Sequence, residues 1–368
     1  MKIAYVINSV EGGGAASPVP AITQVMREAG HHVEVFALTR RDGLAIEPMH
    51  QAGLTVHIRP GTRKDHGPAL YWLNRQMRAY QPDVIWTSLS RATLLGQIVG
   101  QWRHVPVISW QHSARLKPFN AFLLRRFRNK SALWVADSSC VAEQTRQTLG
   151  ISAEHLVEWP IFRADTSFPT AAPWQPGMPL RIGALGRLHP VKGYDILCAA
   201  IARLQSLTDL PPFEVLIAGE GEERPKLEKL IAQNNLPVRI MGHVKNPADF
   251  LSRLHLYVQP SLWEGFCLAA HEAMLAGLPV IASRAGEMPS TITPQTGRIV
   301  PPQDVAALAD ALHELLRHPE HLAAMGQQAR STVLERFGAA RFDQTGRTIL
   351  ARVEQIVAAS RQRGRTGP

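Results

Sequence analysis

The chain has 368 residues, 45% of them hydrophobic, too many for one ordinary core and well suited to a globular protein of two domains. Its 40 Lys and Arg against 30 Asp and Glu give a net charge of +10, which either marks anionic partners (nucleic acid, anionic lipid, phosphorylated substrates) or reflects a generally basic proteome. No apolar run approaches the roughly 18–20 residues of a membrane span, and Cys140, Cys198 and Cys267 are too few and too scattered for a disulfide framework or a zinc site.

KIAYVIN, residues 2–8, begins directly as a strand with no leader pattern, so the cytoplasm is the expected location. The loop EGGGAASP follows, and its glycines Gly12, Gly13 and Gly14 open a helix from about Pro18 to Glu28. Such a turn suits either an anion held by backbone amides or a plain strand–helix connection. Strand patterns then recur in HHVEVFAL, LTVHI, PDVIWTS, VPVISW and ALWVADS, with helical or loop segments between several of them. That alternation predicts a parallel sheet covered by helices on both faces. His112 falls just past the carboxyl end of VPVISW, where α/β sheets bind ligands.

Arg115 to Lys130 carries six cations and no acid, interleaved with Phe119, Phe122, Leu123, Leu124 and Phe127. It reads as a basic amphipathic helix, fit for an anionic membrane surface or for packing on the sheet with a solvated basic face. A Pro-, Ala- and Thr-rich stretch from Arg163 to Pro179 is the best linker. Beyond it the alternation restarts with LRIGALG, FEVLIAG, VRIMG and LYVQP, so a second α/β domain follows the first. From Ala306 the pattern is helical to about Ser360, and the final RQRGRTGP is expected to fray.

Three loops of the second domain fall at strand carboxyl ends. Gly186, Arg187, Lys192 and Gly193 lie in GALGRLHPVKGYDIL, where a guanidinium and an ammonium five residues apart can reach one phosphate. Gly219 and Gly221 lie in AGEGEE. Glu264 and Glu272 stand at E-x7-E spacing in SLWEGFCLAAHEAMLAGLPV, with a short helix Leu268 to Leu275 stopped by Gly277. Alone, the two glutamates suit an acid/base pair or a solvated helix terminus. Together, cations for a diphosphate and carboxylates for hydroxyls describe a nucleotide-sugar pocket.

These motifs (GRL…KG, AGEG, P-S-x-x-E-G-F with E-x7-E, and A-x-G-x-P-V) resemble the retaining GT-B glycosyltransferases of family GT4. The likeness covers nearly the whole chain, including the ADSS segment at Ala136 to Ser139 and TGRIVPPQD at Thr296 to Asp304. It implies two Rossmann-like domains facing each other across a cleft: residues 1–165, joined by a C-terminal helix at about 345–368; a linker at 166–178; and a donor domain at 179–344. It also implies roles. Arg187 and Lys192 neutralise the leaving diphosphate, Glu272 binds the ribose, and Glu264 holds the donor sugar. The backbone of Gly265, Phe266, Cys267 and Leu268 lies against sugar and phosphate, with Gly186 and Gly219 beside it. Gly13 and Gly14 face the diphosphate, and His112 touches the sugar near the reacting carbon. No metal and no cofactor beyond the nucleotide sugar are implied, since Arg and Lys supply the charge. The implied acceptor is an envelope glycolipid, lipopolysaccharide or polysaccharide. Separately, and from its own residues, Arg115–Lys130 makes a peripheral place on the inner membrane face an expectation beside the cytoplasm. No nucleic-acid reading module is present. A sugar-nucleotide epimerase and a non-catalytic binder of sugar nucleotides or polyanions are the alternatives. Two departures from the family pattern stand out: Cys267 replaces a frequent second glycine, and Pro289-Ser290 replaces a proline–glutamate pair, with Glu287 upstream.

Overall fold

A computed structural model describes residues 1–113, 115–207 and 209–365, with side chains as far as Gln362. Its contacts divide the chain into two compact units, Met1–Arg163 with Ala340–Pro368, and Ala164–Ala339. Each unit is built on one parallel sheet.

In unit 1 the strands are β1 (Lys2–Ile7), β2 (His32–Ala37), β3 (Thr55–Ile58), β4 (Val84–Ser88), β5 (Val107–Gln111), β6 (Leu133–Ala136) and β7 (Leu156–Glu158). They lie in the order β3-β2-β1-β4-β5-β6-β7, and every neighbouring pair is parallel. Six of these coincide with the apolar runs of the sequence; β7, three residues long, is too short to carry a pattern. β4 and β5 are buried along their whole length, although they carry Thr87, Ser88, Ser109 and Gln111, as suits the middle strands of a parallel sheet.

Unit 2 contains β8 (Leu180–Leu185), β9 (Phe213–Ala218), β10 (Val238–Gly242), β11 (Leu256–Gln259), β12 (Val280–Ser283) and β13 (Gly297–Val300), in the order β10-β9-β8-β11-β12-β13 and again all parallel. Leu180, Ile182, Leu197, Ile201, Val215 and Ile217 anchor its core.

In both sheets the winding reverses once, between β1 and β4 in unit 1 and between β8 and β11 in unit 2. At such a point the two outgoing loops part toward opposite faces and leave a crevice at the strand carboxyl ends. The sequence places its Gly12–Gly14 loop after β1, and its Arg187–Lys192 and Ser261–Leu268 loops after β8 and β11.

Two segments differ from expectation. The Pro-rich stretch forms no helix or strand, yet it is tied down: Ala164 N donates to Phe337 O at 2.8 Å, Ala171 N donates to Ala276 O at 2.7 Å, and Trp174 packs on the unit 2 core. The C-terminal end does not fray at residue 361; one helix runs Ala339–Arg365, while residues 366–368 lie outside the described residues. Within unit 1 that helix is fixed by Arg163, whose guanidinium meets both carboxylate oxygens of Asp343 at 3.0 and 3.1 Å, and by the Trp159–Phe342 ring contact.

Candidate active site

In unit 2 the loops after β8 and β11 are joined by side chain and backbone. Leu262 N donates to Val191 O at 2.8 Å. A Cβ on Gly193 would fall 2.1 Å from Pro260 O, so only glycine permits that approach, and its φ of +67° suits glycine as well. The result places Lys192 Nζ 2.7 Å from Glu264 Oε1. Burial alone would lower the Lys192 pKa, but the Glu264 carboxylate more than reverses this and holds it above the usual lysine value.

Glu264 Oε1 also accepts from Ser261 Oγ at 2.7 Å. Behind it runs a buried chain along one face of β11 and into the loop beyond: Ser261 Oγ accepts from Gln259 Nε2 at 2.8 Å, and Gln259 Oε1 accepts from the Tyr257 hydroxyl at 2.7 Å. Residues 257 and 259 share a face because side chains alternate along a strand. Leu185 N completes the chain by donating to the Tyr257 oxygen at 3.1 Å, which ties the Glu264 loop to β8. Ser261, Gln259 and Tyr257 escape a motif reading except for the serine of P-S-x-x-E; their strand carries no pattern but apolarity.

Arg187, on the same loop as Lys192, is exposed, and its guanidinium has no hydrogen bond or ion pair among the described residues. It is a like-charge neighbour of Lys192 and lowers that lysine's proton affinity. The two cations are thus brought together with their charge only half answered, by Glu264. Gly186 and Gly219 lie back to back: a Cβ on Gly219 would stand 1.9 Å from Gly186 O.

The helix Leu268–Leu275 has no side chain capping its N-terminus, so its first amides are available to an anion or a sugar hydroxyl. Glu272 sits on this helix; burial pushes its carboxyl up to about 7, and no hydrogen bond reaches it among the described residues. The Phe266 ring is buried, 4.2 Å from the ring of His271 and 5.0 Å from that of Phe337, so only its backbone faces the loop's open side. His271, buried between these rings with its pKa pressed down to about 4, is a neutral structural group bonded to Cys267 O and Thr291.

The departures from the family pattern take a physical form. Cys267 adopts φ +70° and ψ +68°, the left-handed region that glycine enters without strain and cysteine does not. Glu287 is buried and ion-paired with Arg336 at 3.0 Å, while the same guanidinium bonds Ser290 O; its carboxylate is committed to holding the loop, and Glu287 N donates to Gly265 O at 3.0 Å.

In unit 1, His112 lies beyond β5 with its side chain 5% exposed. Its Nδ1 is 2.9 Å from Asp137 Oδ1 and its Nε2 is 2.7 Å from Ser88 Oγ. Asp137 is buried, and burial raises its pKa while His112 and Trp110 pull it back; Trp110 Nε1 donates to it at 2.6 Å. The imidazole stacks on the Trp110 ring at 5.6 Å. Ser88, at the end of β4, and Asp137, just past β6, were not singled out in the sequence, although Asp137 is the acid of the ADSS segment. Gly13 has φ +147° with open space around it, and Gly12 N donates to Asp42 at 3.0 Å. Gly14 is an exposed turn residue. Among the described residues, the metal-type cluster is the exposed trio His318, Glu320 and His321, which includes none of these groups.

Residues 12–161 match the family model described as Glycosyltransferase Family 4, and residues 179–318 match the one described as Glycosyl transferases group 1. An MMP alpha-(1->4)-mannosyltransferase of Mycolicibacterium hassiacum is 35% identical over 156 residues, 40% of this chain and 37% of that protein. A phosphatidyl-myo-inositol mannosyltransferase of Mycobacterium leprae is 27% identical over 336 residues, 86% of this chain and 88% of that one. The chain spans about two fifths to one half of the length of several of the curated relatives it matches. Among solved structures, Anabaena Alr3699/HepE in complex with UDP and glucose superposes with a TM-score of 0.83 at 21% identity, covering 95% of this chain and 99% of that one. That likeness is one of fold.

Proposed function

The chain belongs to family 4 of the GT-B glycosyltransferases, and we propose that it moves a sugar from a UDP- or GDP-sugar to an envelope glycolipid, lipopolysaccharide or polysaccharide acceptor with retention of anomeric configuration. The observation that carries this reading is the contact between Lys192 and Glu264 at 2.7 Å, beside the unpaired Arg187, at the winding reversal of the unit 2 sheet.

In the proposed reaction Lys192 and Arg187 take up the charge that develops on the departing diphosphate, which is the largest contribution assigned to the protein. Glu264 then accepts hydrogen bonds from the donor-sugar hydroxyls, held in place by Ser261 and the chain behind it. Glu272 accepts from the ribose. The amides at the start of the helix Leu268–Leu275 meet sugar and phosphate. From unit 1, His112 is assigned to the donor sugar and the Gly13–Gly14 backbone to the diphosphate. The acceptor hydroxyl attacks the face that the diphosphate leaves, through an oxocarbenium-like transition state. The two cations perform the neutralisation that a divalent ion performs in other enzymes, so the proposal includes no metal and no further cofactor.

The UDP and glucose bound in the Anabaena structure support a nucleotide sugar as donor. A thermal-shift screen over UDP, GDP, ADP and TDP sugars tests it, because a ligand at 100 times its Kd stabilises by about 2.7 kcal/mol. A rise in Tm with one donor, followed by diphosphate release on adding an acceptor, is expected. No shift with any of the four would sink the proposal.

A further inference from the structure

The run His318-Pro319-Glu320-His321 lies between two helices of unit 2, Val305–Leu316 and Leu322–Phe337, where the turn Pro319–His321 makes the connection. The backbone of this turn is fixed. His321 N donates to His318 O at 3.0 Å, Pro319 is buried with its φ locked by its ring, and Leu322 packs into the unit 2 core. The polar side chains of the run have no such task. Those of His318 and Glu320 are 58% and 57% exposed, and exposed His321, at the head of the second helix, does not cap it. Yet the three converge. The imidazoles stack at 5.7 Å, 20° from parallel, and His318 Nδ1 lies 3.4 Å from Glu320 Oε1. One nitrogen from each ring and one carboxylate oxygen all lie within 4.8 Å of one another. Arg317, the neighbouring cation, is committed to Asp209 at 3.0 Å, and no lysine or arginine pairs with Glu320 among the described residues.

Two neutral imidazoles and a carboxylate on one rigid turn make a nitrogen, nitrogen, oxygen donor set. We propose that His318, Glu320 and His321 bind one divalent transition-metal ion, with Zn2+ the best match, and that the ion clamps the turn between the two helices. The donors select the ion: imidazole suits Zn2+, Cu2+ and Ni2+, whereas Mg2+ and Ca2+ take oxygen ligands, and the trio offers no sulfur for Cu+. Tetrahedral ligands at about 2.0–2.1 Å from zinc stand about 3.3 Å apart, so the trio closes by about 1.5 Å at most, within reach of small rotations of exposed side chains. Water completes the four-coordinate shell. The helix leaving the turn packs on the site helix Leu268–Leu275: a Cβ on Gly326 would fall 1.9 Å from Gly277 O, and Arg330 donates to Leu275 O. The ion therefore braces an element that supports the candidate site, while none of its ligands is assigned to donor or acceptor. The inference goes beyond the transfer reading and does not rest on it.

The test is calorimetric titration of the full chain, free of any histidine tag, with Zn2+ at neutral pH, beside His318→Ala/His321→Ala and Glu320→Gln. Co2+ in place of Zn2+ gives a second readout, since its visible absorption strengthens when it passes from six-coordinate water to a four-coordinate site. The wild type should bind one Zn2+ that excess Mg2+ does not displace, and its Tm should rise with Zn2+ concentration. All three side chains are exposed, so both variants should keep the wild-type Tm without metal. The double variant should lose the cobalt spectrum, and each variant should bind Zn2+ about tenfold or more weakly than wild type. Failure of the wild type to bind Zn2+ overturns the proposal. Wild-type affinity in either variant also overturns it, because other groups of the chain then hold the ion. Donor binding by thermal shift, measured with EDTA present, reports on the transfer reading separately.

Discussion

His112 Nδ1 stands 2.9 Å from Asp137 Oδ1, and this one contact fixes which nitrogen of the ring faces Ser88. A carboxylate at Nδ1 holds the proton there and leaves Nε2 as an acceptor, now satisfied by the serine hydroxyl. Asp137 acts on any ligand through His112, as a positioning residue. Asp137→Asn should lower kcat by about tenfold or more while changing the donor KM little, because the amide can present its NH2 to Nδ1 and reverse the tautomer. Asp137→Ala should also cost about 2–3 kcal/mol of stability, since Trp110 Nε1 and His112 then lose a buried acceptor. Equal effects of the two variants on kcat/KM, with KM carrying all of it, would contradict the positioning role.

Arg187 and Lys192 should separate cleanly. Arg187 is exposed and unpaired, so Arg187→Ala should leave Tm unchanged and reduce turnover by about 100-fold. Lys192→Ala should reduce turnover similarly and in addition destabilise the fold by about 1–3 kcal/mol, because Glu264 is left partly buried without its cation. The double variant Lys192→Met/Glu264→Gln should recover most of that stability and none of the activity. Activity in the double variant would refute the assignment of both groups.

Glu272 predicts a pH dependence. Its folded pKa is about 7 against 4.5 for an ordinary glutamate. Between those values the folded state keeps a proton that the unfolded state has lost, so stability falls as pH rises through this window and the full penalty is present above it. Glu272→Gln removes the penalty and should be more stable than wild type by about 2 kcal/mol above the window, with the two converging below it. Chemical denaturation at several pH values measures this. Donor affinity should run the other way in the wild type, rising with pH as the carboxylate ionises to accept the ribose hydroxyls. A flat pH profile for both quantities would show that Glu272 is an ordinary exposed acid.

Cys267 at φ +70° gives a graded test. Cys267→Gly should be tolerated to within about 1 kcal/mol, relief of strain offsetting lost backbone restriction and side-chain burial. Cys267→Val should destabilise by about 2 kcal/mol or more, since a branched Cβ enters this region least readily. Thermal denaturation of the two variants checks the order.

The strands, their parallel arrangement and the glycine-stopped helix Leu268–Leu275 were legible in the sequence because buried parallel strands are largely apolar and glycine marks a chain reversal. β7 was not: with two half-exposed residues and one exposed it pairs only because β6 offers an open edge. The winding reversals were not legible either, as strand order depends on which helix crosses which face and leaves no local mark. At the site, the cations and glutamates stood out by residue type and spacing. The Lys192–Glu264 contact did not, since a motif that assigns one to phosphate and the other to sugar gives no reason for the two to meet. Ser88 and Asp137 were hidden for a simpler cause: each comes from a different strand, and only the sheet brings them to His112.

The ring of His112 rests on Trp110, which in turn stacks on Trp159 at 5.1 Å and is fully buried. Trp110 also gives its indole proton to Asp137. An indole so placed is an optical reporter, because its emission depends on the group stacked against it and on the charge at its N–H. Any ligand that draws His112 away from Ser88 disturbs both at once. Binding at this loop is therefore expected to register as a change in intrinsic fluorescence, without label or coupled assay, and Trp110→Phe should silence that signal while leaving the histidine in place.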